Sequence, residues 1–210
     1  VRVVLNRMPD GKSNGYDSRA PNELRALADA HLRALAQILN ECEEQGRWPR
    51  AMGKPIVALI PKNGAEDEGG MRPIALLPYV YRLWMCVRKR DVEAWTRGLH
   101  GGKCKAAEVL AWELAARGEA ARLGGKFFAA AFLDCSKCYE RVDQEGAHRR
   151  AVATGCNPVI ANLAMNTYSR DRIAQVHGPH SKEVTGNRGM LAGCGFAVHF
   201  LKAIIVGILE

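Results

Sequence analysis

Phe132-Leu133-Asp134-Cys135-Ser136-Lys137-Cys138-Tyr139-Glu140-Arg141-Val142 is the stretch on which the fold reading turns. It closes an apolar run that begins at Phe127. Phe127 to Leu133 reads as a buried strand that delivers the Asp134 carboxylate at its end. An ionised carboxylate is expensive to bury without a partner or a metal. Asp134 is therefore expected where the strand emerges at a sheet edge. Lys137, Tyr139 and the Glu140-Arg141 pair follow closely, and local ion pairing is the simplest expectation for that pair. Asp is also a favoured helix cap, so the same residues fit a strand that ends in a cap. The rest of the chain has to decide.

Working outward, residues 1–21 hold Pro9, Gly11, Gly15 and Pro21 and read as an irregular lead-in. From Asn22, with Glu23 beside it, Leu24, Leu27, Leu32, Leu35, Leu39 and Cys42 recur on one helical face until Gly46 stops them. Pro55 to Ile60 is a β-rich run. Asn63 to Met71 is a Gly-rich acidic turn, and Pro73 to Leu77 is the return strand. Helical patterns cover Pro78 to Trp95 and Ala106 to Leu123. They resume over residues 143–168, split at Gly155 to Pro158. Arg172 to Val176 and Glu183 to Thr185 resemble a hairpin, and Phe196 to Leu209 is helical after the Gly-rich run from Gly186 to Gly195. Strands mixed with helices, without regular alternation, point to an α+β layer fold.

The 210 residues carry a net charge of +8, which suits a polyanionic partner. Seven cysteines, an odd number in a chain of this size, argue against a disulfide framework and for a reducing, intracellular setting. No apolar run approaches the roughly 18 residues of a membrane span. The chain opens on Val1 and closes at Glu210 inside an apolar helical pattern, as a piece of a longer protein would.

Two further segments carry chemistry. In Ile56-Val57-Ala58-Leu59-Ile60-Pro61-Lys62, the glycine turn and Arg72-Pro73-Ile74-Ala75-Leu76-Leu77, two cations flank a turn that could close over an anion. A guanidinium forks phosphate, Lys acts as a mobile point charge, and Pro73 holds Arg72 extended. In Asn187-Arg188-Gly189-Met190-Leu191-Ala192-Gly193-Cys194-Gly195-Phe196, glycines allow backbone approach where a side chain would clash.

In this order the three segments resemble the reverse transcriptases of retrotransposons that lack long terminal repeats (LINE-type elements), over roughly Leu24 to Glu210. The resemblance implies a right-hand polymerase fold, fingers and partial palm, with the antiparallel palm sheet incomplete. Residues 22–77 would be the N-terminal helix and fingers, 78–145 the palm helices and first catalytic strand, 146–187 a second fingers segment, and 188–210 the palm turn and helix. It makes Asp134 the catalytic carboxylate and a metal ligand, with the Cys135 backbone carbonyl as a further ligand for Mg²⁺, two ions being expected in the complete enzyme. Lys62, Arg72, Lys137, Cys138 and Tyr139 would bind the deoxynucleoside triphosphate (dNTP), Tyr139 excluding the ribose 2′-hydroxyl in place of the family's usual Phe. Arg188, Gly189 and Gly193 would lie by the RNA template and DNA primer. Trp48 and His100-Gly101-Gly102 also suit the family. Ala192 and Gly195 depart from it, standing where Gln and Pro are usual. No Asp-Asp pair occurs anywhere in the chain, so the second metal-binding motif is missing and the piece is expected to be inactive alone.

Other readings stay open. A group II intron-type enzyme shares the fold. A remnant could bind nucleic acid without chemistry, indifferent to sequence and steeply sensitive to salt. Cys135-x-x-Cys138 with His177-x-x-His180 has zinc-ligand spacings, although the gap between the pairs is far longer than in a compact finger.

Overall fold

The computed structural model describes residues 1–62, 68–99, 107–131, 136–176 and 178–209. Its helices are α1 (Arg2–Arg7), α2 (Pro21–Arg25), α3 (Asp29–Gln45), α4 (Tyr79–Arg97), α5 (Ala107–Leu123), α6 (Cys138–Arg141), α7 (Gln144–Ala153), α8 (Pro158–Tyr168) and α9 (Ala197–Leu209). Its strands are β1 (Ile56–Pro61), β2 (Met71–Leu76), β3 (Arg172–Gln175) and β4 (His180–Val184). The protein is mixed α+β, and among the described residues the strands form one sheet in the order β2-β1-β3-β4.

β1 and β2 pair antiparallel, with Ile60 opposite Arg72 and Ile56 opposite Leu76. β3 lies parallel to β1, Ile173 beside Ile56, although more than a hundred residues separate them in sequence. A parallel neighbour requires a crossover connection, and here the chain passes through β2 and α4 to α8 before it returns as β3. The segments at 55–77 and 172–184 thus share one sheet. The return strand β4 runs from His180 to Val184 and so begins three residues before the expected start at Glu183, because exposed polar residues complete the ladder as well as apolar ones.

Helix termini follow local chemistry. Gly46 closes α3 in the left-handed conformation at φ 64°, and the Asp143 carboxylate caps α7 by accepting from the Gly146 N–H at 2.8 Å. The main core is aromatic. Trp48 stands edge-on to Tyr81 and Trp84, and Trp84 meets Phe196, with ring centroids 5.2–5.6 Å apart. Trp48 donates its indole N–H to the Leu163 carbonyl at 3.0 Å, which ties the approach to β1 onto α8. A second cluster joins Leu5, Met8, Leu32, Tyr79 and Leu83.

Three expectations need correction. Residues 1–21 are not wholly irregular: α1 buries Leu5 completely, and Asp17 accepts the Tyr79 N–H at 2.6 Å. Val1, Val4, Leu5 and Met8 form a short apolar face that the nearby Pro and Gly obscure. The helix expected from Asn22 onward is broken between α2 and α3, and Arg2 satisfies the carbonyls freed there, reaching Leu27 O at 2.8 Å. The largest correction concerns Phe127 to Ala131. This stretch has no regular structure and is exposed throughout, with Phe127 fully open to solvent. A strand needs a neighbour for its hydrogen bonds, and the described strands pair only with one another, in the sheet β2-β1-β3-β4. Phe132 and Leu133 lie outside the described residues.

Candidate nucleotide-binding groove

The end of the β1–β2 hairpin presents two cations. Lys62 follows β1 directly, its N–H bonded to Gly70 O at 2.9 Å, and Arg72 sits opposite Ile60 on β2. Both side chains are exposed. Facing them is the turn into α6, where Lys137 takes a left-handed conformation at φ 50°, ψ 46°. A non-glycine residue seldom adopts that conformation, and such strain concentrates at functional positions. Lys62, Arg72 and Lys137 line one groove of about 830 Å³ together with Leu59, Pro73 and Glu140. That is within the usual size of a small-molecule site. Among the described residues none of the three cations has a carboxylate partner.

The glycine-rich segment ties the two walls together. Gly189 donates to Val142 O and Met190 to Tyr139 O, both at 2.8 Å, and so fixes the α6 side. Three residues on, Ala192 O accepts the Ala75 N–H at 2.6 Å and fixes the β2 side. Both contacts require glycine. Gly189 has φ 78°, and a Cβ there would lie 2.7 Å from Glu140 O. Gly193 has φ 102°, with a Cβ 3.0 Å from Ala75 O. The outer side of Gly193 stays exposed, as does the Arg188 side chain.

Other expected residues fall differently. Tyr139 is half-buried against the main core and is absent from the groove lining, and burial raises its phenol pKa. Cys138 is half-buried beside it. The local ion pair expected of Glu140 and Arg141 does not form among the described residues. Glu140 lines the cationic groove, and Arg141 lines a separate cavity with Asp143, Arg150 and Ile204. Asp134 and Cys135 lie outside the described residues, as do His100, Gly101, Gly102 and His177. Among the described residues no three His, Cys, Asp or Glu side chains converge on a metal site, and His180 is exposed on β4. No described helix is long and apolar enough to cross a membrane.

Sequence reading missed Gln144 and Arg172, which grip the glycine-rich segment from behind. The Gln144 amide lies 2.9–3.1 Å from the carbonyls of Tyr168, Gly186 and Gly189. Arg172 donates to Tyr168 O at 2.7 Å and Arg188 O at 3.1 Å. These contacts go to backbone, so no pairing of side-chain types announces them.

No protein-family model matches the chain, and no curated protein matches it significantly.

Proposed function

We propose that this chain is part of an RNA-directed DNA polymerase of the non-LTR retrotransposon type, and that the groove between the β1–β2 hairpin and α6 holds the triphosphate of an incoming dNTP. One observation carries the reading. Lys62, Arg72 and Lys137, drawn from sequence positions up to 75 apart, line one groove without carboxylate partners among the described residues. A triphosphate offers the complementary charge, and Arg72 has the planar fork that grips phosphate oxygens in pairs. The sharing of one sheet by 55–77 and 172–184 supports assigning both to the fingers of a right-hand polymerase fold.

In this reading Arg72 and Lys62 bind and orient the phosphates from the hairpin, and Lys137 does so from the α6 side. Exposed Gly193 offers backbone to the primer and the RNA template. Mg²⁺, when bound, would stabilise charge on the transferring phosphate. The residues that the resemblance assigns to it, Asp134 and the Cys135 carbonyl, lie outside the described structure, so no step is derived through it. Tyr139 reaches a sugar only if it leaves its place against the core.

The test is equilibrium binding of a fluorescent dNTP to the 210-residue chain. Arg72→Ala is expected to weaken binding about tenfold to a hundredfold, the loss of a charge-assisted contact, and Lys62→Ala less. Equal affinity in wild type and Arg72→Ala would falsify the assignment.

A further inference from the structure

Arg172 is an unusual cation. It is half-buried on β3, its Nε is completely buried without a hydrogen-bond partner, and its remaining contacts are to main-chain carbonyls. Burial lowers its pKa, and no described carboxylate answers it. A guanidinium placed this way gives up solvation for a neutral environment, so the arrangement is costly for stability alone. Gly186 completes it: a Cβ there would lie 2.8 Å from Arg172 Nε and 2.8 Å from Tyr168 O. Gln144 reaches the same Tyr168 carbonyl at 3.1 Å from the start of α7. The ends of α8, α7 and β3 therefore meet the glycine-rich segment at one small cluster of donors and carbonyls.

The geometry points to Arg172 and Gln144 as positioning residues for the cationic groove. They hold Gly186 to Gly189 in place. Gly189 and Met190 pass that position to the Lys137 wall through the carbonyls of Val142 and Tyr139, and Ala192 passes it to the Arg72 wall through Ala75. The spacing between the two sets of cations is thereby set by two side chains that do not line the groove. This inference rests on the polyphosphate reading above. Neither residue touches the ligand; each acts through backbone.

The experiment measures binding of inorganic tripolyphosphate to the 210-residue chain as a function of salt, for wild type, Arg172→Met, Arg172→Lys and Gln144→Leu. Thermal melts of the unliganded proteins run alongside. Arg172→Met is expected to weaken binding about tenfold and to make its log–log salt slope shallower, because one wall's charge no longer reaches the anion. Arg172→Lys keeps a donor but not the fork, and is expected to restore part of both affinity and slope. Gln144→Leu, which leaves the charge on β3 untouched, is expected to act in the same direction and more weakly.

A purely structural role predicts something else: affinity falls only in proportion to the unfolded fraction, with the salt slope of wild type. That outcome overturns the inference while leaving the groove assignment standing, as does wild-type binding by both Arg172→Met and Gln144→Leu. Should Arg172→Met fail to fold, Gln144→Leu decides on the same two readouts. No tripolyphosphate binding by the wild-type chain overturns both the inference and the reading beneath it.

Discussion

Phe127 to Ala131 and Gly186 to Gly193 behave in opposite ways. The first is strongly apolar and carries every local sign of a buried strand, yet it lies exposed without regular structure. The second is rich in glycine and reads as a loose turn, yet its backbone is bonded on both sides and its Gly186, Gly189, Met190 and Leu191 are buried. Apolar character sets how much a segment gains from being covered. It does not supply the cover. Backbone donors and acceptors need specific partners, and the glycine-rich segment finds them on α6, β2, α7 and β3.

Three substitutions sharpen that contrast, and the largest effect is expected at Gly189. Alanine there meets both a positive φ and a backbone oxygen 2.7 Å away. Gly189→Ala is expected to lower the unfolding free energy by about 2–4 kcal/mol, measured by denaturant titration. A change within error would mean that the segment is not held as described.

An intermediate effect is expected in the helical core, where Glu43 accepts from Trp84 Nε1 and Arg88 Nε, both at 2.7 Å. Burial pushes the Glu43 carboxyl up, but the hydrogen bonds from Arg88 and Trp84 outweigh it and hold the pKa below its ordinary value. A depressed folded-state carboxylate contributes stability that is full above the unfolded pKa and is lost as pH falls through the folded one. Glu43→Gln should therefore cost about 1–3 kcal/mol at neutral pH and flatten the acid limb of stability against pH. An acid limb identical to wild type would remove this pair from the account.

The smallest effect is expected at Phe127. It is fully exposed, so Phe127→Ser should change stability by no more than about 0.5 kcal/mol. A loss of several kcal/mol would show that the aromatic is covered after all, and the contrast between the two segments would collapse.

Much of the fold was legible because side-chain periodicity records burial directly. The spacing of Tyr81, Leu83, Trp84 and Val92 marks α4, and all four are buried. Pro55 to Ile60 and Pro73 to Leu77, set about a glycine turn, mark β1 and β2. α1 was hidden because its apolar face is short and the punctuation after it is strong. Phe127 to Ala131 misled because a strand is a relation between two segments, and only one was in view. Within the site, Lys62 and Arg72 were legible as cations flanking one turn, whereas Lys137 joined them only through the motif resemblance. Gln144 and Arg172 left no trace, since the carbonyls they hold belong to residues of any type.

The bond from Ala75 N to Ala192 O has a consequence beyond the groove. Among the described residues β2 forms one outer edge of the sheet, and an open edge is a template on which another chain can add a strand. Outward-facing N–H groups alternate along a strand, so the position equivalent to Ala75 next along β2 is Pro73, which has no N–H to offer. One outward donor is occupied and the next does not exist. At the opposite edge, β4 displays Lys182 and Glu183 to solvent, charges that discourage stacking in the same way. Among the described residues the sheet ends at β2 and at β4 on edges poorly suited to recruiting another strand, a safeguard against aggregation for a chain that leaves Phe127 uncovered.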